Sequence, residues 1–112
     1  MQRRDKVILK KILAWIDETR EIFPDVSREE FLVDELLKRA MSMSVIQVGE
    51  LVKSLSAEIR LENSHVPWKD IAGFRDIAAH KYETLSFGKM YITITKEFPE
   101  LKSQIEKIIE EE

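Results

Sequence analysis

The stretch SREEFLVDELLKRAMSMSVIQVGELVKSLSAEIRL, residues 27–61, determines the fold class, because its apolar residues recur with the period of an α-helix. Ser27 and Glu30 form a capping box, in which each side chain satisfies a free backbone N–H at the helix start. The apolar positions are Phe31, Leu32, Leu36, Leu37, Ala40, Met41, Val45, Val48, Leu51, Val52, Leu55 and Ile59. We therefore predict a helix over residues 28–61, roughly 50 Å long at 1.5 Å per residue. Such a helix serves as a spine or extends into a partner.

Two shorter periodic stretches flank a clear loop. Residues 3–22 carry apolar side chains at helical spacing, and Pro24 closes this first helix. Residues 62–68 form the loop, and a short third helix is predicted over residues 69–82. Helical periodicity thus continues on both sides of the second helix.

The C-terminal third is also helical by its spacing. Ser86 is a suitable N-cap for a further helix. Pro99 either opens a last helix or kinks a continuous one, because proline lacks the N–H that a helix interior needs. No stretch alternates like a strand. The sequence therefore predicts one all-α domain over residues 1–112, an up-and-down four-helix bundle with a long second helix and a short or kinked C-terminal helix.

Composition excludes several kinds of site. The chain has no cysteine, which rules out disulfides and thiolate metal sites, and its two histidines are too few for a histidine-rich one. Carboxylate metal sites remain open. The formal net charge is −3, which the three C-terminal glutamates at 110–112 account for. A protein that coats nucleic acid non-specifically is normally basic, so only a local phosphate site fits this charge.

The location of the protein follows from two further patterns. The N-terminal residues 1–15 carry charges at nearly every turn and have no apolar signal-peptide core. No segment approaches 18 uninterrupted apolar residues, so no membrane span is predicted. We expect a soluble cytoplasmic protein.

The chemistry-bearing residues are concentrated in PWKDIAGFRDIAAHKYETLSFG, residues 67–88. This segment contains the pattern Arg-x4-His-x-Tyr, formed by Arg75, His80 and Tyr82. Together with the preceding Pro67-Trp68 pair and the long second helix, this pattern resembles the HepT-like family of the HEPN superfamily. The resemblance covers the whole chain in layout and about residues 66–87 in detail.

This resemblance implies a function. Members of the family are metal-independent endoribonuclease toxins of type VII-like toxin–antitoxin pairs, and a small nucleotidyltransferase acts as antitoxin by adenylylating the motif tyrosine. Arg75 and His80 would be catalytic, Tyr82 would accept AMP, and no cofactor or metal would be needed. The chain departs from the family at Asp76, where asparagine is common. That aspartate adds a negative charge beside a site that must approach phosphate.

Helical geometry gives an independent view of these residues. Asp76 and His80 are four residues apart and are neighbours on one helix face, so the carboxylate is expected to orient the imidazole and favour its charged form. Arg75 and His80 are five apart, about 140° around the axis, and do not converge within one helix. A second chain would complete the site. Members of the family place two copies of the motif together across a symmetric dimer, so we expect a homodimer or a higher even oligomer.

Metal-free RNA cleavage requires a base, an acid and a cation. A histidine with a near-neutral pKa can act as base or acid, which suits His80. Arginine stays charged and binds phosphate oxygens with two N–H groups, which suits Arg75. The alternative is a non-catalytic nucleotide-binding or substrate-binding partner subunit of a minimal nucleotidyltransferase. The presence of both residues favours the enzyme.

Overall fold

The computed structural model describes residues 1–23 and 25–112 of the chain. Its α-helices are α1 (Arg3–Ile22), α2 (Arg28–Val33), α3 (Glu35–Ser54), α4 (Ala57–Glu62), α5 (Trp68–His80), α6 (Phe87–Ile92) and α7 (Phe98–Glu110). A 3₁₀ turn covers Tyr82–Thr84, and a π-helical turn, Thr93–Glu97, joins α6 to α7. The described residues contain no strand, which confirms the predicted all-α class. The expected role of Pro24 lies outside the described residues.

The bundle is built from four helical arms around one core. The arms are α1, the segmented run α2–α4, α5, and the continuous run from α6 to α7. Helix α3 is central, since it packs against both α1 and α5, while α1 also packs against α7. The fully buried side chains that join the arms are Leu9, Ile12, Ile16, Phe31, Met41, Val48, Val52, Met90 and Ile105. Their burial supplies the main driving force for folding.

The prediction of one continuous helix over residues 28–61 is wrong, because the run is interrupted twice. The Asp34 carboxylate accepts a hydrogen bond from the Leu37 N–H at 2.9 Å and starts α3. The Ser56 hydroxyl accepts one from the Ile59 N–H at 3.2 Å and starts α4. Short polar side chains of this kind compete with helix continuation by capping a new start. The spine of the bundle is therefore α3 alone, with 20 residues.

A buried carboxylate of α1 stabilises the second interruption. The Asp5 side chain, in a residue only 1% exposed, accepts hydrogen bonds from the Ser56 backbone N–H at 2.9 Å and the Ser56 hydroxyl at 2.7 Å. Beside it, the Arg4 guanidinium donates to the Ser54 carbonyl at 2.7 Å. Helix α1 thus satisfies the backbone groups that the break between α3 and α4 leaves free.

Three other predicted features are confirmed, and one predicted boundary differs. Helix α1 covers the predicted residues 3–22, and the capping box is present, with both Ser27–Glu30 hydrogen bonds at 3.1 Å. Ser86 caps α6 by accepting from the Lys89 N–H at 3.2 Å. Helix α5 ends at His80, two residues earlier than predicted, and Tyr82 belongs to the 3₁₀ turn.

The C-terminal run is continuous, the second of the two possibilities at Pro99. Pro99 is the second residue of α7 and follows the π-helical turn. Its missing N–H and its ring disturb the preceding turn of a regular α-helix, and a widened turn relieves that disturbance. Within the turn, the Thr93 hydroxyl bonds the Lys89 carbonyl at 3.1 Å and the Glu97 carboxylate at 2.8 Å.

Gly49 allows α3 and α5 to approach closely. A Cβ atom at this position would lie 2.1 Å from the Arg75 Cβ and 2.8 Å from its Cγ, distances that real side chains do not adopt. Close packing therefore accounts for a glycine inside a helix, where it costs about 1 kcal/mol relative to alanine.

Asp5→Ala is expected to lower the free energy of unfolding by about 1–3 kcal/mol, because two part-buried donors of Ser56 lose their acceptor. Urea denaturation monitored by circular dichroism measures this change. Glu18→Ala, an exposed substitution on the same helix, is the control and should change stability by less than about 0.5 kcal/mol. Equal effects of the two substitutions would contradict the role assigned to Asp5.

Gly49→Ala is expected to destabilise the protein by about 1–3 kcal/mol, because its methyl group collides with the stem of Arg75. Gly73→Ala is the matched control, since a Cβ at this α5 position meets no atom within 4 Å. That substitution should leave stability unchanged or raise it by up to about 1 kcal/mol through helix propensity. A thermal melt of both variants tests the pair, and a stabilised Gly49→Ala protein would refute the close contact.

Candidate functional site

Arg75 is fixed on α5 by contacts with α3. Its stem lies against Gly49, and its side chain is 18% exposed. One terminal nitrogen, Nη2, pairs with Glu50 Oε2 at 2.8 Å, and the other, Nη1, pairs with Asp76 Oδ1 at 3.0 Å. The Nε atom is buried and has no partner among the described residues. The guanidinium is thus held between two carboxylates, with one N–H left on each terminal nitrogen.

Asp76 does not form the predicted pair with His80. Its carboxylate instead accepts hydrogen bonds from Lys53 Nζ at 3.1 Å and from Arg75. These two cations hold the pKa of Asp76 below its usual range, so it stays ionised at neutral pH. The prediction was wrong because Asp76 contacts two permanent cations, and one of them comes from α3, which the α5 sequence alone does not reveal.

His80 is the last residue of α5 and is exposed to solvent. Its imidazole makes no hydrogen bond or ion pair to any described residue, so it does not contact Arg75 within one chain. The His80 imidazole is therefore accessible to a molecule that binds at the end of α5.

Tyr82 begins the 3₁₀ turn that follows α5 and is 37% exposed. Its ring packs edge-on against Phe87, with centroids 5.6 Å apart, and Phe87 packs in turn against the buried Phe31 at 6.4 Å. The Tyr82 hydroxyl has no hydrogen-bond partner within the part of the chain that the structure describes. The ring is anchored to the core while its polar end stays unpaired.

Several charged residues around these side chains escaped the sequence-based interpretation. Glu50 and Lys53 of α3 pair with Arg75 and Asp76, while Arg28 lies beside Gly88 and Lys38 lies over the Phe87 ring. All of these contacts join segments that are distant along the chain, so the sequence contains no local signal for them.

A separate cavity of about 450 Å³ opens between α5 and the C-terminal run. Phe74 and Phe98 are among the apolar residues that line it. Its polar lining consists of His65, Asp70, Lys89, Thr93, Glu97, Glu100 and Gln104. Three carboxylates against one lysine make this a poor place for nucleotide phosphates. The nucleotide-binding groove of the alternative function is therefore not supported here.

Within residues 1–23 and 25–112, no three His, Asp or Glu side chains lie together in a way that could hold a metal ion. None of the helices in the same ranges has the length and hydrophobicity of a bilayer-spanning segment.

Comparisons with known proteins bear on the identity of the family. The profile of the family described as "Ribonuclease HepT-like" matches residues 12–108. A "Putative RNase" of Caldanaerobacter subterraneus is 39% identical over 104 residues, which cover 93% of each chain. A "Putative RNase" of Methanocaldococcus jannaschii is 34% identical over 112 residues, covering 99% of this chain and 97% of its own.

A third relative carries the family name itself. The "Probable ribonuclease HepT" of Thermococcus cleftensis is 26% identical over 108 residues, which cover 96% of this chain and 98% of the relative. No solved structure matches the chain. The family profile spans most of the chain, and the similarity to these relatives extends over nearly its full length. The protein therefore belongs to the ribonuclease HepT-like family.

Proposed function

We propose that the protein is a metal-independent endoribonuclease toxin, with a composite site of Arg75 and His80 at a homodimer interface. Membership of a ribonuclease family supports the reaction class. The observation that carries the assignment to these residues is their setting on α5. Arg75 is held rigidly, and His80 is exposed with no partner among the described residues.

Two chains are needed because one chain does not bring these groups together. Arg75 is tethered towards α3, whereas His80 lies about 140° away around α5. The exposed side of α5 includes Gly73, which meets no atom within 4 Å of its Cβ position, and Ile77, which is 40% exposed. This side offers a second chain a smooth, partly apolar surface beside His80.

The proposed reaction is a transesterification within RNA. One histidine removes the proton of a 2′-hydroxyl, and the 2′-oxygen attacks the adjacent phosphorus. The bond to the 5′-oxygen breaks, and that oxygen takes a proton from the second histidine. A 2′,3′-cyclic phosphate and a free 5′-hydroxyl are formed. Arg75 stabilises the additional negative charge on the phosphorus oxygens in the transition state.

The carboxylates around Arg75 limit how strongly it binds phosphate. Glu50 and Asp76 already occupy one N–H of each terminal nitrogen, and a phosphate contacts the remaining ones. Rigid pairing fixes the guanidinium plane before RNA arrives, which reduces the entropy lost on binding. The negative charge of Asp76 opposes the phosphate, and Lys53 offsets it at 3.1 Å.

Adenylylation of Tyr82 by a cognate nucleotidyltransferase would switch the toxin off. The Tyr82 oxygen attacks the α-phosphorus of ATP, pyrophosphate leaves, and the hydroxyl proton passes to a base on the transferase. The exposure of Tyr82 and its unpaired hydroxyl among the described residues support this role. The added AMP brings bulk and negative charge two residues from His80, so it repels RNA.

His80→Ala is expected to lower RNA cleavage by at least about 100-fold, because the proton-transfer group is lost. The assay follows a fluorophore-labelled RNA in the presence of a chelator. His65→Ala is the matched control, since His65 lies in the loop beside the separate cavity, and it should keep full activity. Undiminished cleavage by His80→Ala would refute the site. Absence of cleavage by the unmodified native protein would favour the non-catalytic partner subunit.

Tyr82→Phe is expected to abolish labelling when the protein is incubated with ATP and the cognate nucleotidyltransferase, because the acceptor oxygen is gone. Intact-protein mass spectrometry measures AMP-sized increments. Tyr91→Phe is the control, because the Tyr91 hydroxyl is already bonded to the Val26 carbonyl at 2.7 Å, and its labelling should match that of the native chain. Labelling that persists in Tyr82→Phe would exclude Tyr82 as acceptor.

A further inference from the structure

Two cations from different helices lie against the first two residues of α6, Phe87 and Gly88. The Arg28 guanidinium lies over Gly88, where its Nη2 atom is 2.7 Å from the position a Cβ would occupy. Lys38 Nζ lies 4.8 Å from the centroid of the Phe87 ring, the same ring that packs against Tyr82. We name this group, Arg28, Lys38, Phe87 and Gly88, the cationic ledge.

The position of Arg28 is not explained by stability. Arg28 is the first residue of α2, where the free N–H groups of the helix favour an acidic side chain and disfavour a cation. Among the described residues no carboxylate lies within ion-pair distance of it. An arginine at a helix N-terminus, where the dipole disfavours its charge and no carboxylate of the described residues pairs with it, is available to bind an anion.

The Lys38 side chain is largely buried, and Glu35 only partly neutralises the charge of its ammonium group. Its side chain is 12% exposed, and its ammonium pairs with Glu35 at 2.8 Å. The Glu35 side chain is 70% exposed, so water screens this pair and it contributes little. With Arg28, Lys38 and Glu35 counted together, the ledge keeps a net positive charge within a chain of net charge −3.

We propose that the cationic ledge binds a phosphodiester group. In the unmodified protein this group belongs to the backbone of single-stranded RNA, next to the phosphate at the Arg75–His80 site. In the adenylylated protein it is the phosphate that links AMP to Tyr82. Both are phosphodiesters with one negative charge, so the modification occupies the place of the substrate. This inference rests on the proposed function and adds the residues that contact the phosphate.

Gly88 leaves room for the Arg28 guanidinium against the start of α6. A methyl group at this position would displace the far end of the Arg28 side chain, which is flexible, and would leave the backbone in place. Gly88→Ala therefore moves the cation without removing it. The same change raises helix propensity, so the fold should not be weakened.

The test measures RNA affinity in a His80→Ala background, which prevents cleavage. Fluorescence anisotropy follows a labelled single-stranded RNA over a range of salt concentrations. Arg28→Gln and Lys38→Met should each weaken binding roughly five- to ten-fold, and each should lower the slope of log K against log salt by about 0.7. Gly88→Ala should weaken binding at unchanged net charge.

Lys107→Gln is the matched control, because it removes one positive charge from an exposed position in the last turn of α7. If Lys107→Gln loses as much RNA affinity as Arg28→Gln, net charge alone explains the effect and the proposal is overturned. Full RNA affinity in Arg28→Gln would also overturn it. If the His80→Ala protein binds no RNA and the native chain cleaves none, the proposed function fails as well. Native cleavage with an unaffected Arg28→Gln protein refutes the ledge alone.

A second arm distinguishes RNA from the tyrosine-bound AMP. The ³¹P NMR resonance of AMP attached to Tyr82 should shift between the native chain and Arg28→Gln, and it should be the same in Lys107→Gln. An RNA effect without this shift would restrict the ledge to the substrate and overturn the shared-site proposal. If the ³¹P resonance shifts but the RNA affinity of Arg28→Gln is unchanged, the cationic ledge binds only the AMP on Tyr82. This result would also overturn the shared-site proposal.

Discussion

The contact between Gly49 of α3 and the stem of Arg75 on α5 is the constraint on which the rest of the site depends. It lets the two helices approach to a distance that any side chain at position 49 would prevent. At that separation Glu50 reaches the guanidinium and Lys53 reaches Asp76. The charged network is therefore a consequence of backbone proximity. Because Gly49 has no side chain, it determines both the packing of the two helices and the orientation of Arg75.

Local signals predicted much of the fold. The period of the apolar residues and the Ser27–Glu30 capping box involve side chains within one turn of each other, so sequence spacing is sufficient to find them. The break before α4 is different. Ser56 starts a new helix there, and Asp5, 51 residues away, stabilises this start by accepting hydrogen bonds from two Ser56 donors. No local pattern contains that partner, so a continuous helix was the natural prediction.

The site divides in the same way. Arg75, His80 and Tyr82 are close in sequence, so their spacing is sufficient to locate the segment and to indicate the family. The Asp76–His80 pair failed because spacing on one helix says nothing about cations on another. Lys53 enters from α3 and takes the carboxylate. Arg28 and Lys38 were missed for the same reason, since their relation to Tyr82 exists only after α2 and α3 pack against residues 87 and 88.

The π-helical turn at Thr93–Glu97 has a consequence for how this chain can change in length. Such a turn holds one residue more than an α-helical turn. Deleting one residue there would convert it to a regular α-helical turn, and the residues beyond it would keep nearly the same orientation. The buried side of α7, with Leu101 and Ile105, would still face α1. A deletion within α7 itself would instead rotate all residues beyond it by about 100°, so the widened turn is the place where this run can best absorb the loss of one residue.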